Sequence, residues 1–158
     1  MPPDQWGLER QSMSQTHIHL LLADDDKDDC LLFKEALEEL PVSAELTMVD
    51  NGEELMRRLS KKAGELPSVI FLDLNMPRKN GFECLAEIKQ SEKLKNLPVV
   101  IFSTSLDPEV VNMLYTRGAQ YYIRKPSEFS RLKEVIDTAI TLTLNTGGSP
   151  TEKEKFII

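Results

Sequence analysis

The chain has 158 residues, 41% of them hydrophobic and 28% charged, enough for one globular domain with an apolar core and little beyond it. Its formal net charge of -7 excludes a general nucleic-acid binder or a protein held on an acidic lipid surface, because phosphates would repel it. No apolar run approaches the ~20 residues that span a bilayer, and the opening MPPDQWGLERQSMSQT lacks the basic start and apolar stretch of a secretory signal, so a cytoplasmic protein is expected.

Residues 1–16 are polar and aperiodic and read as a disordered tail, with the lone Trp6 packing on nothing. From residue 17 to 145, apolar runs short enough to be strands alternate with segments of helical periodicity. The runs are 18–23, 46–49, 69–72, 99–102 and 121–123. The first helix, 28–40, has Leu32, Phe33, Ala36, Leu37 and Leu40 on its expected buried stripe and Pro41 as its stop. Asn51 caps a second that buries Leu55, Met56 and Leu59 and ends before Gly64. A third covers 82–90 with Leu85 and Ile88 inward. Asp107-Pro108 opens the fourth, which stops at Gly118. The fifth, 128–144, repeats Phe129, Leu132, Ile136, Ile140 and Leu144 at helical spacing. Residues 146–158 return to polar composition and read as a C-terminal tail, with no room for an output domain.

Strands alternating with helices predict a single parallel sheet with helices on both faces, an α/β domain. Cys30 and Cys84 fall in helical segments without metal-ligand spacing and read as reduced thiols. His17 and His19 flank the start of the first strand and carry no role.

Ligands of such sheets bind beyond the carboxyl ends of the strands. The first strand runs into Asp24-Asp25, the third into Asp73, the fourth towards Thr104 and the fifth towards Lys125-Pro126. Close carboxylates left alone would repel one another, and a hard divalent cation such as Mg²⁺ removes the problem. A carboxylate nucleophile, a metal, a hydroxyl and a fixed ammonium are the parts that phosphoryl transfer to aspartate requires. Asp26, Asp28 and Asp29 read as helix-start acids placed by capping and dipole effects.

The segments LLLADDD, FLDLNMPRKNGFE, VVIFSTS and YYIRKPS resemble, in order, the signature segments of bacterial response-regulator receiver domains, as the chemotaxis regulators carry them. The run from NMPRKNGFECLAEIK to KLKNLPVVIFSTS is similar to the small stand-alone regulators that accompany phytochromes. The resemblance implies a doubly wound, flavodoxin-like five-stranded sheet of order 2-1-3-4-5 with five helices. It makes Asp73 the phosphoacceptor. Asp25 becomes a direct Mg²⁺ ligand, Asp24 a ligand directly or through water, and Asn75 a ligand through its backbone carbonyl. Thr104 and Lys125 hold the phosphoryl oxygens, Ser105 is the small neighbour that leaves room, and Tyr122 is the aromatic switch. Asn75 and Leu106 line the approach of the hydrolytic water and set the dephosphorylation rate. The family also has a cis peptide at the position of Lys125-Pro126.

The implied function is a single-domain response regulator, not a turnover enzyme. Its partners are a histidine kinase or histidine phosphotransfer protein, with pairing of two copies through the face of the fourth helix, fifth strand and fifth helix. A haloacid-dehalogenase-type hydrolase wants a second aspartate where Asn75 stands. A flavodoxin-type cofactor site would meet phosphate with Asp24-Asp25-Asp26. A receiver retained only as a phosphorylation-independent interaction module is the alternative.

Overall fold

The central apolar runs become strands that are buried on both faces. In the computed structural model, which describes residues 17–61, 66–147 and 149–158, β1 (Ile18–Ala23), β3 (Val69–Leu72) and β4 (Val99–Ser103) are almost wholly buried. β2 (Ala44–Val49) and β5 (Tyr121–Arg124) complete a five-stranded parallel sheet of order β2-β1-β3-β4-β5. Five α-helices alternate with the strands among the described residues: α1 (Lys27–Glu38), α2 (Gly52–Leu59), α3 (Gly81–Gln90), α4 (Pro108–Thr116) and α5 (Phe129–Thr146). The residues read as a disordered N-terminal tail, Trp6 among them, and Gly64 as the stop of the second helix lie outside the described residues.

Helix starts follow their capping chemistry. The Asp26 carboxylate accepts from the backbone N–H of Asp28 and Asp29, Asn51 from Glu54, and Asp107 from Glu109 ahead of Pro108. Asn80 and Glu83 form a reciprocal capping box at α3.

The sheet separates two cores. On one face α1 and α5 pack Phe33, Ala36, Leu132 and Ile136 on Leu20, Leu22 and Phe71. On the other, α2, α3 and α4 pack Leu55, Leu85, Ile88 and Leu114 on Leu21, Ile70 and Ile101. Two expected core residues are exposed. Leu32 lies one residue, roughly 100°, around α1 from Phe33 and faces outward, 44% exposed. Leu144 is 50% exposed because Thr143 takes the inward position, its hydroxyl donating to the Ala139 carbonyl. The expected polar tail also differs. α5 continues to Thr146, and after it the chain returns through a 3₁₀ turn (Lys153–Lys155) to bury Phe156 against the sheet. The aromatic ring outweighs the polar composition around it.

Candidate functional site

The parallel ladder continues one residue past the ends of several strands, and this places the charged groups. Asp24 N–H donates to the Val49 carbonyl (3.0 Å), Asp73 N–H to Ala23 (2.9 Å) and Lys125 N–H to Ser103 (2.8 Å). Side chains at these positions therefore converge on one edge of the sheet. One carboxylate oxygen from each of Asp24, Asp25 and Asp73 lies within 4.8 Å of the others. Asp24 and Asp73 are buried, and Asp25 is exposed.

Lys125 closes the pocket. Its Nζ lies 2.7 Å from Asp24 Oδ2, 2.8 Å from Asp29 Oδ2 and 3.9 Å from Asp73 Oδ2, and 5.4 Å from the centre of the Phe102 ring. The contact with Asp29 is a hydrogen bond. The contact with Asp24 is the shorter of the two, an ion pair that leaves one ammonium shared between two carboxylates. The Lys125–Pro126 peptide is trans, against the expected cis bond. Attraction to Asp24 and Asp29 aims the lysine inward.

The loop after β3 folds tightly over Asp73. Asp73 Oδ1 accepts from the Leu74 N–H (2.9 Å), and Gly81 N–H donates to the Leu74 carbonyl. A Cβ on Gly81 would stand 2.3 Å from the Asp73 carbonyl oxygen, so only glycine permits the approach. Met76 is buried, whereas Asn75 is exposed at the pocket's loop.

Burial pushes the Asp73 carboxyl up to about 7, aided by the charge of Asp24 and opposed by Lys125. Burial raises Asp24 as well, with Lys125 opposing. For Lys125 burial acts downward, but Asp24, Asp29 and Asp73 outweigh it and hold the ammonium above its ordinary value. The site is a compact set of charges in which the lysine offsets only part of the carboxylate repulsion. Three converging carboxylates, two of them buried, with a single ammonium shared among the acids around it, suit a small divalent cation.

Thr104 is exposed, directly after β4, while its neighbour Ser103 is buried with Oγ accepting from Ser105 N–H at 3.3 Å. Tyr122 is fully buried, and its hydroxyl donates to the Ser105 carbonyl (2.5 Å). Leu106, 40% exposed, lines an apolar groove with Val111, Tyr115 and Phe156. Asp29 is the member that sequence reasoning missed. It is a first-turn acid of α1 that also meets Lys125, and the clue was a helix start abutting the same sheet edge. Cys30 donates its thiol to the Asp24 carbonyl (3.4 Å), and burial with the Asp24 charge pushes it up to about 11. It is a protonated spacer.

A doubly wound sheet with an acidic pocket and a buried lysine at its carboxyl edge defines the class. The family model of the response regulator receiver domain matches residues 20–137, and the chain belongs to that family, the receivers of two-component signalling. Response regulator Rcp1 of Synechocystis sp. is 34% identical over 132 residues, covering 80% of this chain and 89% of Rcp1. A probable methanogenesis regulatory protein, FilR2 of Methanothrix harundinacea, is 29% identical over 134 residues, 83% of this chain and 86% of its own. Among solved structures, the phosphorylated cyanobacterial phytochrome response regulator RcpA superposes with a TM-score of 0.74 at 36% identity, over 83% of this chain and 96% of that one. The Mn²⁺-bound form of Rcp1 does so with a TM-score of 0.72 at 32% identity, over 82% and 96%. No described helix is long and apolar enough to cross a membrane.

Proposed function

We propose that this receiver takes a phosphoryl group onto Asp73 from a histidine kinase or histidine phosphotransfer protein, and passes the signal on by a change in its interaction face. The observation that carries this reading is the convergence of Asp24, Asp25 and Asp73 within 4.8 Å beside a lysine only 9% exposed. The phosphorylated state of RcpA and the Mn²⁺-bound state of Rcp1 support it from the relatives' side.

Asp25, Asp73, the backbone carbonyl of Asn75 and, directly or through water, Asp24 would hold Mg²⁺. Bound there, Mg²⁺ neutralises carboxylate and phosphoryl charge. A carboxylate oxygen of Asp73 attacks phosphorus, forming an acyl phosphate as the donor's N–P bond breaks; the imidazole leaves with the electron pair and takes up a proton. Lys125, already fixed among carboxylates, steadies one phosphoryl oxygen, and the Thr104 hydroxyl donates to another. Ser105, the small neighbour of Thr104, leaves room for the phosphoryl group. Asn75 and Leu106 flank the approach of water that later hydrolyses the acyl phosphate. No substrate is turned over. Two copies could pair through α4, β5 and α5, with the C-terminal segment already part of that face.

Acetyl phosphate with Mg²⁺ tests the reading by intact mass. One phosphoryl group should add to the wild type and none to Asp73→Asn. An unmodified wild type would favour a phosphorylation-independent docking module, and an adduct on the variant would move the acceptor elsewhere.

A further inference from the structure

β5 is the last strand of the sheet, and its outer backbone groups would otherwise face water. The chain's own C-terminal segment pairs with that edge. Tyr122 N–H donates to the Phe156 carbonyl and Ile158 N–H to the Tyr122 carbonyl, both at 2.9 Å, making a parallel bridge between Tyr122 and Ile157. Phe156 is 1% exposed, with its ring edge-on to Tyr115 at 5.2 Å and to Tyr122 at 6.3 Å. The Tyr115 hydroxyl donates to the Thr151 carbonyl (2.8 Å) and the Gln120 side-chain amide to the Ser149 carbonyl. The segment is seated by a strand bridge, an aromatic anchor and two side-chain hydrogen bonds.

Tyr122 is thus held from two directions. Its backbone N–H and carbonyl are both hydrogen-bonded along the outer edge of β5, to Phe156 and Ile158, and its hydroxyl is bonded to Ser105, one residue past Thr104. Its ring has no exposure and lies beneath Phe156. Losing the segment would bare both the ring and the edge of β5. Nothing else in the described structure covers that strand edge at Tyr122.

We propose that residues 149–158 form a built-in strand clamp, which holds Tyr122 buried and through it steadies the loop of Thr104 and Ser105. The coupling to phosphorylation rests on the proposed role of Asp73 and Thr104. If the loop must be held for Thr104 to meet a phosphoryl group, seating of the clamp and phosphorylation favour the same arrangement. By linkage, each then strengthens the other. The clamp also makes β5 a strand-addition site that is filled in cis, so an extended partner peptide binding there would have to displace Phe156.

Amide exchange on the full chain tests the clamp without phosphorylation. The amides of Tyr122 and Ile158 should be protected independently of protein concentration. Phe156→Ala should speed exchange at Tyr122 and across Thr104–Leu106 by about tenfold while the β1 amides stay unchanged. Ile158→Pro, which keeps the ring but removes one donor, should act in the same direction and more weakly. Random-coil exchange at Ile158 in the wild type, or an unchanged 104–106 loop in Phe156→Ala, overturns the proposal. Protection that grows with concentration assigns the seated segment to a second copy and overturns the clamp in cis. With Asp73 fully phosphorylated by mass, Tyr122 and Ile158 should exchange about tenfold more slowly; unchanged rates sink the coupling. Absence of any adduct sinks the phosphoacceptor reading instead, and the clamp stands or falls on exchange in the unmodified protein.

Discussion

Lys125 Nζ lies 2.7 Å from Asp24 Oδ2, closer by more than an ångström than its 3.9 Å to Asp73. The lysine therefore offsets charge mainly on Asp24 and Asp29 and leaves Asp73 less compensated. A cation or phosphoryl group arriving at the pocket must share or redirect it.

Replacing Lys125 by Gln should lower metal-free stability at pH 8 by roughly 3 kcal/mol, because buried carboxylates lose their counter-charge. Mg²⁺ should restore more of the melting temperature in Lys125→Gln than it adds to the wild type, since the ion then replaces the missing ammonium. Thermal melts with and without Mg²⁺ measure both effects. A variant as stable as wild type without metal would show that the carboxylates do not need the lysine.

The pH dependence follows from Asp73. Its folded pKa of about 7 lies above its ordinary value of 3.8, so between these pH values the native state binds more protons than the unfolded one. Stability contributed by this group is then lost as pH rises through 7 and regained as pH falls towards 4. At three pKa units the effect is at most about 4 kcal/mol. Asp73→Asn should therefore be more stable than wild type at pH 8 without metal, with the gap closing towards pH 5. Mg²⁺ should narrow it at pH 8. A gap that does not change with pH between 8 and 5 would remove Asp73 as the source.

Asp25 is exposed and makes no ion pair among the described residues, so its carboxylate contributes repulsion and not cohesion to the metal-free pocket. Asp25→Ala should leave the metal-free melting temperature unchanged or higher while weakening Mg²⁺ binding at least tenfold. Titration calorimetry with Mg²⁺ beside the melts would check this. A large loss of metal-free stability would make Asp25 structural.

Leu106 lines the apolar groove of α4 and Phe156 and stands two residues after Thr104. If it also shields the acyl phosphate, Leu106→Ala should shorten phosphoryl lifetime about threefold, and Leu106→Glu, which can orient a water, by tenfold or more. Single-turnover loss of phosphate from Asp73 with excess Mg²⁺ gives the rates. Equal lifetimes in all three proteins would assign Leu106 to the groove alone.

Strand positions and helix starts were legible in the sequence because they depend on local chemistry. The runs at 69–72 and 99–102 could be buried on both faces, and Asp26, Asn51 and Asp107 needed only their own helix N–H groups to act as caps. The convergence of Asp24, Asp73 and Lys125 was also legible, since in a parallel sheet residues just past strand ends share an edge. Periodicity was less reliable at the margins of helices. Leu32 and Leu144 fit an apolar repeat yet face solvent, because which side of a helix is buried is set by the sheet it meets.

The tertiary structure alone decided the rest, because it depends on distant groups meeting. Asp29 looked like a dipole acid until Lys125, 96 positions away, came to 2.8 Å from it. The C-terminal residues read as a polar tail because most of them are polar. One phenylalanine and the free edge of β5 determine their position, and neither can be weighed before the strand order places that edge at the boundary of the sheet. Sequence determined the site's chemistry through residue types at strand ends. The tertiary fold determined how charge is shared within the site and what covers Tyr122, because Coulomb energy and burial depend on distances that only the packed chain sets.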